Sequence, residues 1–192
     1  MHSHYLSLSD SLLQLEPLQK HHIQSMRLLS LDSSIWTWYT SDLTQPDALE
    51  EWMVERLEES NKGIHFSYAI ILKDSQTVIG STSYGHFDWV EHCVEVGWTW
   101  LGKKYIGAGI NKRVKFLMLR HAFETMNTER LEMRTDEHNA RSRKAMEKIG
   151  AKYDGVLRNH RATQGGRRRN TVLYSIIRSE WEEIKNTVFK GF

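Results

Sequence analysis

The sequence predicts a mixed α/β sandwich, an α+β arrangement whose central, largely antiparallel sheet carries helices on both faces. Three observations lead there. Strand-like and helix-like stretches alternate along the chain. Pairs of strand-like runs separated by short turns occur both early and late, as hairpins do. Between them, an apolar strand passes into an apolar helix through two glycines one residue apart. A doubly wound parallel sheet would need a helix between successive strands, and the hairpins deny it. At 192 residues the expectation is one domain, 1–192, with a sizeable core.

The elements follow in order. Residues 12–15 read as a short strand. Residues 21–31 carry apolar positions at Ile23, Met26 and Leu29 to Leu31, an amphipathic helix. A second helix is expected from Pro46, a good first-turn residue, with Ala48, Leu49, Trp52, Met53 and Leu57 along one face. Between the two, Ile35, Trp36, Trp38 and Tyr39 form an aromatic cluster, either core or a wall of a substrate pocket. Runs 66–72 and 77–84 pair as a hairpin across 73–76, and Gly80 inside the second run signals a bulge or a close backbone approach. In the strand 92–100, alternation places His92, Val94, Val96, Trp98 and Trp100 on one face and Cys93, Glu95, Gly97 and Thr99 on the other. Glu95 is then a lone carboxylate in an apolar strand, a setting that raises a carboxyl pKa and suits a base.

After the glycines, Ile110, Val114, Leu117, Met118 and Ala122 repeat with helical spacing and bury one face. Residues 130–135 read as a strand. Asn139 is a good N-cap for a helix with Ser142, Ala145, Met146 and Ile149 inward, and Gly150 ends it. A hairpin of 153–163 and 169–178 turns at Gln164, Gly165 and Gly166, and a polar helix from Ser179 to about Val188 closes the chain.

Composition excludes several classes. The net charge is +2, with 40% hydrophobic and 26% charged residues, which is no global nucleic-acid or membrane signature. A single cysteine, Cys93, forms no internal disulfide and suits a reducing cytoplasm. No apolar run approaches the roughly 18 residues of a membrane span, and the polar start lacks a signal-peptide core. Among the histidines, His21-His22 and His2-x-His4 make no tight multi-residue cluster, so no metal site is expected.

The stretch from Leu101 to Arg113 holds the functional signal. From Val96 to Phe123 there is no Asp or Glu, yet Lys103, Lys104, Lys112, Arg113, Lys115 and Arg120 fall inside. Gly107 and Gly109 permit a tight turn and a close ligand. The helix that follows offers unpaired N–H groups and a positive dipole end to an anion, while cations in its first turn oppose the dipole. A P-loop is excluded because Ile110-Asn111 follows Gly109, and a dinucleotide fingerprint because Lys112 stands at the third glycine.

Lys104-Tyr105-Ile106-Gly107-Ala108-Gly109 instead resembles the pyrophosphate loop of the GCN5-related N-acetyltransferase (GNAT) family. Glu95-Val96-Gly97-Trp98-Thr99-Trp100 before it, with Thr135 to Ala145 and Glu147 to Ala151 after it, resemble the RimJ/RimL-type branch. Lys104 departs from the Gln or Arg more usual there; it keeps the charge and loses the forked donation. The resemblance implies a GNAT-like fold, acetyl-CoA as cosubstrate and an amine acceptor, either a peptide N-terminus or a small molecule. A cytoplasmic monomer or homodimer is expected, and composition places it away from membranes and from nucleic acid. It assigns the phosphates to Lys103, Lys104, Tyr105, Ile106, Gly107, Ala108, Gly109, Ile110 and Lys144. The pantetheine arm falls to Asn139 and to the backbone of Gly97, Trp98, Thr99 and Trp100, as an added strand would pair.

An α-amine of pKa about 7.7–8.0 is roughly 10–20% neutral at pH 7 and asks little of a base; lysine asks a lot. Glu95 is the candidate base, with pairing to an arginine as its structural alternative. Ser142 is the candidate to assist the leaving thiolate, with local bonding at the helix start as its alternative. A catalytically silent acyl-CoA sensor would not need both. The basic hairpin Arg158, Asn159, His160, Arg161, Arg167, Arg168 and Arg169 reads either as a solvated edge or as a contact for an acidic substrate or RNA.

Overall fold

The computed structural model of the protein describes residues 4–163 and 166–192. Its strands are β1 (Leu8–Ser9), β2 (Leu13–Pro17), β3 (His65–Leu72), β4 (Thr77–Asp88), β5 (Cys93–Leu101), β6 (Arg130–Asp136), β7 (Lys152–Ala162) and β8 (Arg168–Ile177). The helices are α1 (Ile23–Ser30), α2 (Ala48–Asn61), α3 (Ile110–Glu124), α4 (Ala140–Lys148) and α5 (Arg178–Thr187), with 3-10 turns at Lys20–His22, Ser33–Trp38 and Lys103–Tyr105. One sheet runs in the order β1-β2-β3-β4-β5-β6-β8-β7. Neighbours are antiparallel except β5 and β6, which run parallel. Gln164 and Gly165 of the expected last turn lie outside the described residues.

Each face of the sheet has its own core. On one, Met26, Leu49 and Met53 from α1 and α2, with Trp36, cover Ala69, Ile71, Val78 and Trp100. On the other, Val114, Leu117 and Met118 of α3 and Trp181 and Ile184 of α5 cover Tyr68, Ile70, Val96, Met133 and Val172. Each such side chain contributes about 1.5–3 kcal/mol when fully buried. The sandwich with helices on both faces is therefore the observed fold.

Several local expectations change. The two-residue β1, which pairs Leu8 with Leu15, was not read from sequence. Pro46 does not start α2: Asp47, at φ 60, is its N-cap, and the helix begins at Ala48. α3 is buried on more than one face, with Val114 through Leu119 all inaccessible. The reason is a second layer outside it, where Phe116 stacks near Phe189 (5.2 Å) and Phe123 on Trp181 (5.5 Å).

The alternation of β5 fails halfway. Ser81 pairs with Trp100 while Ser83 pairs with Gly97, so β5 holds one extra residue, and Trp98 sits at φ 50. This bulge exchanges the faces beyond it. Trp98 and Trp100 lie on the Glu95 face, Trp98 against His65 (4.2 Å) and Trp100 against Trp36 (5.4 Å). Thr99 turns instead toward α3, where Lys115 reaches its hydroxyl at 2.8 Å.

Gly80 shows both features its position suggested. The register skips from Ile70↔Gly80 to Ile71↔Val78, and a Cβ on Gly80 would lie 2.1 Å from the Trp100 carbonyl oxygen. Backbone has to move to admit it. Gly80→Ala is expected to cost about 1–3 kcal/mol of stability; a urea midpoint equal to wild type would refute the close approach.

Candidate active site

The site begins where two strands part. β5 and β6 pair through Cys93↔Arg130, Val94↔Leu131 and Glu95↔Glu132, and then diverge. From Val96 onward, β5 has no partner strand on its β6 side. A cavity of about 590 Å³ occupies the divergence. It is reached from both faces of the sheet. Gly107, Gly109, Asn111 and Lys112 line it from the α3 side, with Asn139, Ser142 and Lys144 from the start of α4. Glu95, His86, Trp98, Ile35, Trp38 and Tyr39 line it on the opposite side.

The α3 end has the character of an anion cradle. Gly107 (φ 87) and Gly109 (φ 77) adopt left-handed backbone, with no atom within 4 Å of an added Cβ, and Gly109 is the N-cap of α3. The first turn of α3 holds no acid. Of the loop residues expected on the phosphates, Ile106, Gly107 and Gly109 line the cavity, while Lys103, Lys104, Tyr105 and Ala108 do not. Lys103 instead stands 3.7 Å from Asp32, Lys104 lies over the Tyr105 ring at 4.9 Å, and Ile110 is in the core. Gly97, Trp98, Thr99, Trp100, Asn139, Ser142 and Lys144 all border the cavity. Two polar atoms of its lining residues, Trp100 Nε1 and Asn111 Oδ1, are buried without a hydrogen-bond partner among the described residues. What fits an anionic ligand with an amide-bearing arm is the pair of left-handed glycines at an acid-free helix start beside the unpaired edge of β5.

Asn139 caps α4 as expected, its Oδ1 accepting the Ser142 N–H at 3.1 Å. It is thus the backbone of Ser142 that bonds at the helix start. No partner is recorded for its hydroxyl among the described residues, which leaves that group to the cavity.

Glu95 is buried, but it is not a lone carboxylate. His86 Nδ1 lies 2.7 Å from its Oε2, and Arg134 Nε 3.1 Å from the same oxygen. The isolation expected from the strand pattern is absent, because β6 delivers Arg134 from the adjoining strand. His86 is aimed by a second bulge: Gly85 pairs with Glu95 and Asp88 with Cys93, with His86 at φ 49 between them. Arg134 also holds Glu132 at 2.9 Å.

The sequence model of the Acetyltransferase (GNAT) domain matches residues 13–152. The chain belongs to the GNAT acetyltransferase family. A relative named "Putative ribosomal N-acetyltransferase YdaF" of Bacillus subtilis is 24% identical over 77% of this chain and 79% of its own length. The "Uncharacterized N-acetyltransferase p20" of Bacillus licheniformis is 24% identical over 59% of the chain, which spans 63% of that relative's length. In fold, the chain resembles the crystal structure of a GCN5-related N-acetyltransferase from Brucella melitensis, with TM-score 0.86 and 24% identity, covering 95% of this chain and 83% of the other. These likenesses agree with a RimJ/RimL-like GNAT, and members of the family use acetyl-CoA.

Three features of this GNAT chain, two of them in the cavity wall, were not anticipated. Tyr39 donates its hydroxyl to the Thr99 carbonyl, on the stretch of β5 that β6 leaves unpaired. Burial pushes that phenol well above its ordinary range. Lys115, buried and in the cavity wall, donates to Thr99 Oγ1, which meets Thr82 Oγ1 at 2.7 Å. Burial pulls the Lys115 amine down to about 7, against the opposing pull of Glu95. The sequence signal was a lysine inside an apolar run. Finally, Glu16 joins His21 and His22, their ligand atoms all within 4.8 Å of one another, so that pair does sit in a compact cluster, contrary to expectation. The Gln19 N–H donates to His22 Nδ1 at 3.0 Å. A neutral His22 ring then carries its proton on Nε2, which leaves that nitrogen no lone pair for a metal.

Lys115 makes stability depend on pH. Unfolded, the amine titrates near 10.4; folded, near 7. Between those values the unfolded chain binds more protons, so raising the pH favours the fold by up to about 1.4 kcal/mol per unit. Wild type is expected to gain stability relative to Lys115→Met as pH rises from about 7 to 10. Urea titrations with a constant difference between the two proteins would mean that Lys115 stays charged.

Proposed function

We propose that this protein transfers an acetyl group from acetyl-CoA to a primary amine by direct attack, in the cytoplasm and within a single catalytic domain. One observation carries the reading. Glu95 and Ser142 approach a single cavity from opposite faces of the sheet, and the glycine-bounded start of α3 opens into the same cavity. An acyl donor held on the α3 side and an amine arriving from the Glu95 side would meet where β5 and β6 part.

Acetyl-CoA supplies the activated acyl group. Ile106, Gly107, Gly109 and the first N–H groups of α3 receive its pyrophosphate, beside Lys112 and Lys144. Asn139 and the free edge of β5 at Gly97, Trp98 and Trp100 hold the pantetheine arm; the Thr99 carbonyl is already taken by Tyr39. Glu95 accepts the amine proton, directly or through water, and the half-exposed His86 beside it, its Nδ1–H donating to the carboxylate, holds that oxygen in place. As the C–N bond forms and the C–S bond breaks, the Ser142 hydroxyl donates to the departing sulfur. Release of free thiol from acetyl-CoA in the presence of a panel of amines tests the whole reading, and no release with any amine would end it.

Gly109→Val tests the cradle. No protein atom opposes the new side chain, so its effect falls on the left-handed backbone and on the space kept for phosphate. Calorimetry on the folded variant is expected to show the Kd for acetyl-CoA raised at least about tenfold, or about 1.4 kcal/mol. Unchanged affinity would remove this loop from the site.

Ser142→Ala separates catalysis from helix capping. The cap uses the Ser142 N–H, which alanine keeps. Turnover is expected to fall by about 10²–10⁴ with the melting temperature almost unmoved. Normal kcat with a lowered melting temperature would make Ser142 structural.

A further inference from the structure

The sequence reads the β7–β8 hairpin either as a solvated edge or as a contact for an acidic substrate or RNA, and β7 is the outermost strand. Yet His160, Arg161 and Arg169 turn from it into the cavity wall, alongside Arg134 and Glu95. A bulge accounts for their aim. Between Leu157↔Thr171 and Arg161↔Arg169, β7 advances from 157 to 161 while β8 covers only 171 to 169. Asn159 sits there at φ 54, and its N–H bonds to Asn170 Oδ1 at 2.8 Å. Bulges redirect side chains in this way.

The cluster is tied together at its base. Arg169 Nε donates to Thr171 Oγ1 at 3.0 Å, and Thr171 Oγ1 lies 3.0 Å from His160 Nδ1. The Thr171 hydroxyl accepts from Arg169 and keeps its own proton to give to Nδ1; in that arrangement the neutral ring presents Nε2–H. Burial and the flanking Arg161, Arg134 and Arg169 hold that ring below the usual histidine range. With the ring so oriented, the hairpin presents donors to the cavity.

The phosphate cradle does not explain these donors. Thr171, Leu173 and Ser175 pair with Asp136, Arg134 and Glu132, and Glu132 with Glu95. Residues two apart share a face, so Arg169, Arg134 and Glu95 lie on one side of the sheet. Met133, Val172 and Tyr174, between them, face the core under α3. The sheet itself separates the cluster from α3. The acids of this face have closer partners. Glu95 is held by Arg134 and His86, Glu132 by Arg130 and Arg134, and Asp136 by Arg167. Arg161 and Arg169 make no close ion pair among the described residues; Asp136 and Glu95 act on Arg169 only from a distance, and burial outweighs them.

We infer that the acceptor is a primary amine carrying a carboxylate near the reacting nitrogen, and that Arg161, Arg169 and His160 bind that carboxylate while Glu95 faces the amine. Two guanidinium forks and an imidazole N–H match the lone pairs of one carboxylate. The inference rests on the acetyl-transfer reading, and it disfavours polyamines and basic peptides. The carboxylate has two possible sources, a free amino acid or an acidic residue just after a peptide N-terminus.

The experiment measures kcat/KM by thiol release for matched acceptors. These are peptides beginning Ser-Asp-Glu, Ser-Gly-Gly and Ser-Lys-Lys, a free amino acid and its amide, and a polyamine. Either the acidic peptide or the free amino acid is expected to exceed its neutral counterpart at least about tenfold, or about 1.4 kcal/mol, and whichever does so names the source. Arg161→Gln and Arg169→Gln should each cut that ratio about tenfold, whereas Arg161→Lys should keep most of it. Should Arg169→Gln fail to fold, the exposed Arg161 decides. Turnover blind to acceptor charge, or favouring cations, overturns the inference and leaves acetyl transfer standing. Acetyl-CoA binding in calorimetry without turnover of any amine overturns both.

Discussion

The structure depends on a pairing that stops. β5 and β6 share their ladder only up to Glu95 and Glu132. In a closed sheet, the backbone groups beyond would bond to each other; here each must find another partner or be left for a ligand. Tyr39 takes the Thr99 carbonyl. Thr82 and Lys115 gather around the Thr99 side chain beneath the bulge. The remaining edge of β5 opens into the cavity, and orphaned polar atoms at Trp100 and Asn111 border it. A gap of this kind is stable only because large cores on both faces fix the strands on either side of it.

Charge is distributed around the gap with equal economy. An ion-pair chain crosses the sheet from Asp154 through Arg130, Glu132 and Arg134 to Glu95 and His86. It fixes the orientation of the one carboxylate that faces the divergence, since a buried charge with several partners has few alternative positions. On the α3 face, cations surround a helix start; on the other, Arg161 and Arg169 of the outer hairpin make no close ion pair among the described residues. The cavity is therefore electropositive at both approaches, with a single acid at its waist.

Much of this was legible in the residues. Helical spacing located α1 to α4 within a few positions, because an inward stripe has a fixed period; α5 was read only as a polar helix. Turn chemistry placed the hairpins, and Asn139 and Gly150 marked the ends of α4. Gly107 and Gly109 were expected to turn the backbone tightly, and both adopt left-handed backbone on the cavity wall. Glu95 has in Arg134 the arginine partner that was its alternative reading. The main failure has one cause: a strict period of two put Trp98 and Trp100 on the wrong face. A bulge is set by the neighbouring strand's register, not by local composition.

The sequence by itself determined most of the elements and the glycine turn between β5 and α3, since propensity, periodicity and glycine freedom act over a few residues. Only the tertiary structure decided what stands beside what. Arg134 reaches Glu95 because β6 lies parallel to β5. Lys115 becomes a buried amine because a second layer closes over α3. His160 and Arg169 leave the solvated edge because β7 bulges against Thr171. These contacts join residues tens of positions apart, and their chemistry comes from burial and partners that no local window contains.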